Sequence, residues 1–176
     1  MLFDLEEFGC KVWISSFAGK VDAASVMKEM QEKFPDSAVQ FFDLDKIAGS
    51  RHLLLAAYNA EKSYNSKRRI TRSLQMEVLL FVAGTRQISD AIQRVGINDS
   101  TTRSAVLAIA RSDRALVDIS ESLIKKFSQR DDDELLDTWT RRRELSVTRN
   151  FGFGKKVGRA IEKLAVERSA LVAIDK

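Results

Sequence analysis

Apolar residues recur along this chain in two rhythms, alternation over short stretches and helical spacing over longer ones. The spacing predicts two short strands between Leu2 and Gly19, LFDLEEF and CKVWISSF, with Val12, Ile14 and Phe17 as β-forming side chains and Gly9 at the bend. Asp22 is placed to cap a helix in which Ala23, Val26, Met27, Met30 and Phe34 share a face, and Pro35 stops it. Ala38 to Leu44 (AVQFFDL) is too short for a helix and rich in β formers, so it reads as a buried strand. Ser50 is expected to cap a helix running to about Tyr64, with Leu53, Leu54, Ala57 and Ala60 inward.

Ser73 to Ile97, SLQMEVLLFVAGTRQISDAIQRVGI, is the most informative stretch. Met76, Val78, Leu79, Leu80, Phe81 and Val82 leave almost no polar face, so the first helix there is expected to be buried on most sides. Gly84 occupies the usual place for a helix stop, and a second helix follows with Ile88, Ala91, Ile92 and Val95 on one stripe, ended by Gly96. Ser104 to Ala110 reads as a strand. Asp113 opens a helix with Leu116, Ile119, Leu123 and Phe127 aligned. Asp131 to Glu134 begins another, followed by Leu135, Leu136, Trp139 and Leu145. The last helix follows Asn150 to Gly154 and carries Val157, Ile161, Leu164, Leu171 and Val172 on its apolar stripe, with Ala165, Ala170 and Ala173 extending the apolar area. No repeat or linker interrupts this order. The expectation is one α+β domain over residues 1–176, a small mixed or antiparallel β-sheet covered by several helices.

Composition narrows the class. Hydrophobic residues at 44% and charged residues at 31% describe a globular chain with a real core. Even the longest apolar runs, Val78 to Ala83 among them, are far short of the about 20 residues a membrane span needs. The segment MLFDLEEF lacks the basic region and long apolar core of a signal peptide, and one cysteine, Cys10, fits a reducing compartment. The expected location is cytoplasmic, with no membrane partner. Charge is uneven: residues 1–46 hold five Lys/Arg against nine Asp/Glu, and residues 47–111 hold ten against four. The middle of the chain is therefore the part that attracts phosphates, unless this is ordinary surface charge.

Enzyme signatures are sparse. His52 is the one histidine, so a His-rich metal site is excluded, and Cys10 cannot build a Cys-based one. No nucleophile motif lies near His52, which is expected to have a structural role early in its helix. Asp131 to Glu134 could hold a cation, but a helix start accounts for it. In FGFGKKVG the glycines fall at 152, 154 and 158, one residue late for G-x-G-x-x-G, and no Gly-Lys-Ser/Thr follows. A glycine turn held by Phe151 and Phe153 explains that segment structurally. The rival reading is a small-ligand or nucleotide-binding enzyme domain using the Gly152–Gly154 turn. No catalytic set, metal site or cofactor is expected otherwise.

Gly84-Thr85-Arg86-Gln87-Ile88 is the better candidate site. A helix start leaves N–H donors free, and Arg86 adds a planar fork that can bind phosphate or stack on a base. Gln87 could pair with a base edge or cap the helix. Lys67, Arg68, Arg69 and Arg72 precede the buried helix, and an antiparallel return places them as a rim about 15 Å away, a spacing suited to an extended single strand. The plain alternative is that Arg86 ties two helices together. The final helix either packs on its own sheet or docks a partner.

These residues also carry a resemblance. The stretch Ser73–Ile97 resembles the S-x-x-M/W-E-h-L…G-x-R-Q-I…A-I…x-G-h pattern of the PRPK-binding-protein (CGI-type) family, small subunits of the KEOPS (EKC) complex, archaeal members included. Arg149 to Ala165, R-x-F-G-F-G-K-K-V-G-R-A-I-E-K-L-A, resembles the second family signature. The order of elements matches as well, so the resemblance covers nearly the whole chain. It implies a non-catalytic subunit of the complex that installs threonylcarbamoyladenosine beside the tRNA anticodon. By this resemblance the chain binds the PRPK-type kinase/ATPase subunit and, as archaeal members do, the single-stranded 3′ CCA end of tRNA, with no small-molecule substrate. It assigns Arg86, Gln87 and Ile88 to the CCA pocket, Lys67, Arg68, Arg72 and Ser73 to its approach, and Ile161, Leu164 and Leu171 to the ATPase contact.

Overall fold

The computed structural model describes residues 1–67, 69–127, 134–153 and 160–174. Its sheet is built from β1 (Leu2–Leu5), β2 (Cys10–Ala18), β3 (Ala38–Asp43) and β4 (Arg103–Ala110), in the order β1-β2-β4-β3, with every neighbouring pair antiparallel. β2 and β4 form the centre, in a register that runs from Lys11 opposite Ala110 to Ala18 opposite Arg103. Both faces are covered. Ala105, Leu107 and Ile109 join one core cluster, and Val106, Ala108 and Ala110 join the other. A strand buried on both faces loses its polar alternation, which is why SAVLAIA reads as a continuous apolar run.

Helices α1 (Ala23–Lys33) and α5 (Asp113–Phe127) cover one face of the sheet. Asp22 caps α1 by accepting the Ser25 N–H at 3.1 Å, as its position predicts. Phe127 of α5 packs against Phe17 and Phe41, with ring centroids 4.9 and 6.0 Å away. Helices α2 (Ser50–Tyr64) and α3 (Leu74–Ala83) cover the opposite face; α4 (Ile88–Val95), α6 (Glu134–Asp137), α7 (Arg141–Asn150) and α8 (Ile161–Leu171) complete that side. The fold is α+β, one antiparallel sheet between helical layers. No helix among the described residues is long and apolar enough to cross a membrane.

Several expectations need correction. Ser50 is the first residue of α2 rather than its cap: Gly49 takes the cap position with φ 108°, and Asp137 accepts both the N–H and the hydroxyl of Ser50 at 2.8 Å. A Cβ on Gly49 would stand 3.0 Å from the Asp137 carboxylate, so glycine admits this contact. In α4, Ala91 and Val95 are buried, but Ile88 and Ile92 remain 44% and 51% exposed. The helix expected to run from Asp131 to Leu145 is divided: α6 ends at Asp137, Thr140 caps α7 by accepting the Arg143 N–H at 3.2 Å, and Trp139 and Leu145 face outward. Residues 131–133 of that acidic run lie outside the described residues.

The division has a clear physical source. The Arg143 side chain is buried, and its guanidinium donates to four carbonyls: Ile47 at 3.1 Å, Leu135 at 3.0 Å, Thr138 at 2.9 Å and Leu136 at 2.5 Å. It collects the carbonyls that the short helix α6 cannot satisfy internally. Burial lowers its pKa to about 10, so it stays charged at neutral pH. The Trp139 ring stands 5.1 Å from the same guanidinium.

Candidate nucleic-acid interface

Helix α3 has no polar face from Glu77 onward; Glu77 to Ala83 are all buried. Its end is closed by Gly84 at φ 63°, with Gly84 N–H to Phe81 O at 3.3 Å and Thr85 N–H to Leu80 O at 3.2 Å. A Cβ on Gly84 would meet Arg168 Cγ at 2.6 Å, so α8 lies directly over this turn. The chain therefore emerges at Arg86 with its direction set by α3, α8 and the start of α4.

Arg86 is exposed, and its Nη1 donates to the Val172 carbonyl at 3.1 Å, at the end of α8. That contact is the inter-element tie expected as the plain structural alternative. It occupies only part of the five-donor fork. The same guanidinium lines a groove of about 690 Å³ with Asn59, Lys62, Ser63, Ser66, Lys67 and Arg69, and with the apolar segment Val172, Ala173 and Ile174 that it adjoins. Among the described residues no carboxylate lines this groove, and four cations do. Such a lining favours a polyanion with an apolar part, for which a phosphodiester bearing bases is the obvious chemistry.

The predicted site residues are only partly gathered there. Arg86 and Lys67 share the groove. Arg72 and Ser73 line a separate, more polar groove of about 650 Å³ with Gln31, Asp36, Tyr64, Gln75 and Arg111. Gln87 is the residue before α4 and makes no side-chain cap; its N–H donates to Thr85 Oγ1 at 3.2 Å. Gln87 and Ile88 are exposed beside the turn without lining the cationic groove. Arg68 lies outside the described residues. Lys62 escaped sequence reasoning because it belongs to a well-formed helix, where a lysine in the last turn is ordinary; only the fold places it beside Arg86. Arg69 read as part of the basic connection, and it stacks over the Tyr64 ring, 5.9 Å from its centroid.

The expected partner face on α8 changes more. Its inward stripe is Ile161, Ala165, Ser169 and Val172, all buried. Ile161 thus belongs to the core and is not available to a partner, Leu164 is half-buried, and Leu171 is 47% exposed. Val157 lies outside the described residues.

Other chemistry is quiet. His52 is buried, its Nδ1 accepts the Ala48 N–H at 3.2 Å, and its ring meets Phe151 edge-on at 5.5 Å. Burial lowers its pKa to about 4, which leaves it neutral. Burial pushes the Cys10 thiol up to about 12, with the Glu61 carboxylate adding to the effect, so it is no thiolate nucleophile. Phe151 and Phe153 stack at 5.6 Å around Gly152, whose φ is 69°; Gly154 lies outside the described residues. Among the described residues, no group of three or more His, Cys, Asp or Glu side chains could hold a metal ion.

The family model described as kinase binding protein CGI-121 matches residues 18–172. A protein named EKC/KEOPS complex subunit CGI121, from Yarrowia lipolytica, is 30% identical over 103 residues, which cover 58% of this chain and 61% of that protein. Regulatory protein Cgi121 of Methanocaldococcus jannaschii is 29% identical over 129 residues, covering 72% of this chain and 81% of that one. An EKC/KEOPS complex subunit CGI121 of Gibberella zeae is 24% identical over 99 residues, 56% of this chain and 50% of that protein. The matched family region runs from the end of β2 to just past α8, and so contains the Arg86 turn and all of the groove lining except Ala173 and Ile174: the chain belongs to the kinase-binding protein CGI-121 family.

Proposed function

We propose that this chain is a non-catalytic, cytoplasmic subunit of a KEOPS complex, a single domain that binds the PRPK-type kinase/ATPase subunit and recruits tRNA for threonylcarbamoyladenosine modification through its 3′ CCA end. Membership of the CGI-121 family supports the complex and the kinase partner, as do the names of its relatives. The observation that carries the RNA part is the groove itself: Lys62, Lys67, Arg69 and Arg86 share a space of about 690 Å³ with the apolar segment at residues 172–174. Phosphates are held by the cations, and an unstacked base lies against the exposed Ala173 and Ile174. Arg72 and Ser73 extend the path on the far side of the basic connection, and Gln87 and Ile88 flank its mouth. For the ATPase, Leu171, together with the exposed edge of Leu164, is the remaining apolar face of α8.

The test is tRNA binding by the full chain at several salt concentrations, with intact tRNA and with tRNA trimmed of its CCA end. Trimming is expected to remove most of the affinity, and Arg86→Ala to weaken intact tRNA about tenfold while trimmed tRNA changes little. Equal binding of the two tRNAs would remove the 3′-end reading. Binding of ATP by the isolated chain, without binding of a CCA oligonucleotide, would favour the enzyme reading built on the Gly152–Gly154 turn.

A further inference from the structure

Glu77 lies in the first turn of α3 and is completely buried, yet its carboxylate is engaged by donors drawn from one short stretch of chain. Ser63 Oγ donates at 2.5 Å, and the Ile70 N–H is shared between the two oxygens at 3.0 and 3.2 Å. Thr71 adds its N–H at 2.8 Å and its hydroxyl at 2.7 Å. These donors bracket the connection from α2 to α3, the segment that carries Lys67 and Arg69. Two consecutive backbone N–H groups held by one carboxylate fix the chain at Ile70 and Thr71 from within the core. Outside, Tyr64 Oη donates to the Arg72 carbonyl at 3.2 Å and closes the base of the loop.

We propose that Glu77 is the positioning residue of the cationic groove: it touches no ligand, and it acts by anchoring Ser63, Ile70 and Thr71 so that Lys67 and Arg69, which lie between these anchors, line the groove with Arg86 before any strand arrives. The proposal rests on the RNA reading given above. Cations presented on a fixed loop lose less conformational freedom on binding than cations on a loose one, so affinity is gained without a new contact. A carboxylate suits the task because the Ile70 and Thr71 N–H groups can only donate; an amide nitrogen would turn a donor toward them.

The experiment follows a single-stranded RNA oligonucleotide ending in CCA, titrated against salt. The proteins are wild type, Glu77→Gln, Glu77→Asp, the Lys67→Ala/Arg69→Ala double variant, and that double variant with Glu77→Gln added. Glu77→Gln is expected to weaken binding about tenfold and to flatten the salt dependence by about 1.4 in log–log slope, the share of two single-strand phosphate contacts. Glu77→Asp recovers part of the affinity, and Glu77→Gln adds nothing in the double-variant background. An unchanged slope, or losses that simply add, overturns the proposal.

Trypsin cleavage after Lys67 and Arg69, measured without RNA, reports the loop alone. Faster cutting in Glu77→Gln is expected, and cutting at the wild-type rate overturns the positioning role. Wild-type protein that binds no oligonucleotide overturns the RNA reading, and accelerated cutting would then still uphold the control of the loop by Glu77. Should Glu77→Gln not fold, Glu77→Asp carries both measurements, with smaller changes in the same direction; identity with wild type in both overturns the proposal.

Discussion

Two buried charges of opposite sign organise two irregular connections in this protein, and they do so with uncharged partners. Glu77 gathers N–H and O–H donors of the α2–α3 connection. Arg143 gathers carbonyls from the α6–α7 region and from Ile47 beside the sheet. Both solve one problem: a backbone turn inside the protein has polar groups with no helical or sheet partner, and one multivalent side chain satisfies several at once. The surroundings differ. Arg143 pins α6 and the start of α7, whose outer sides are exposed, to Ile47 beside the sheet. Glu77 secures a loop whose Lys67 and Arg69 are exposed and line a groove. The same device thus serves packing in one place and presentation in the other.

That contrast predicts unequal costs. Arg143→Ala leaves four carbonyls without their donor and should destabilise the fold by about 4 kcal/mol, lowering Tm by roughly 10 °C in thermal unfolding. Arg143→Lys should recover little, because an ammonium cannot reproduce the planar fork. Glu77→Gln should cost about 2 kcal/mol, concentrated in loop opening rather than in global unfolding. If the two variants lower Tm equally, the distinction between packing and presentation fails.

Between these two in size is an acid effect beside the Arg143 cluster. The folded-state pKa of His52 is about 4, below the ordinary 6.5, because burial disfavours its charged form. The folded state then binds fewer protons than the unfolded chain, so the contribution is full above pH 6.5 and is lost as pH falls toward 4. The loss is on the order of 3 kcal/mol across that window. His52→Asn keeps an acceptor for the Ala48 N–H and should flatten this limb of the stability–pH curve in denaturant titrations. Persistence of the limb would assign it to other groups.

Smaller still, Gly84→Ala places a Cβ at φ 63° against Arg168 and should cost about 1–2 kcal/mol. Smallest for folding is Arg86→Ala, which removes one hydrogen bond to Val172 and should cost less than about 1 kcal/mol in a chemical melt. Its expected effect on tRNA binding is far larger than its effect on stability. A melt shifted as far as that of Gly84→Ala would make Arg86 a structural tie first.

The strands and long helices are legible in the chain because their apolar periods survive tertiary packing. β3 and β4 read as apolar runs, and α3 reads as buried all round. What escapes is set by long-range partners. Arg143 sits in a polar, arginine-rich segment and gives no local sign of burial; its reason lies in carbonyls at residues 47 and 135–138. Ser50 reads as a cap because Asp137 is distant in sequence. The groove is half legible: the basic connection and Arg86 stand out, but their meeting depends on Glu77 and on the end of α8. On α8, Ile161 and Val172 of the expected stripe are buried, but between them the buried face is made by Ala165 and Ser169 rather than by Leu164 and Leu171.

The central strand pair has a consequence for how the protein is made. β2 must wait for β4, since Lys11 lies opposite Ala110 and Ala18 opposite Arg103. During synthesis the N-terminal hairpin and β3 emerge long before the strand that separates and joins them. Closing so large a loop makes the central pairing late and slow, and it leaves the apolar faces of β2 and β3 exposed on the nascent chain. A truncation that stops before Arg103 should therefore aggregate rather than rest as a partial fold.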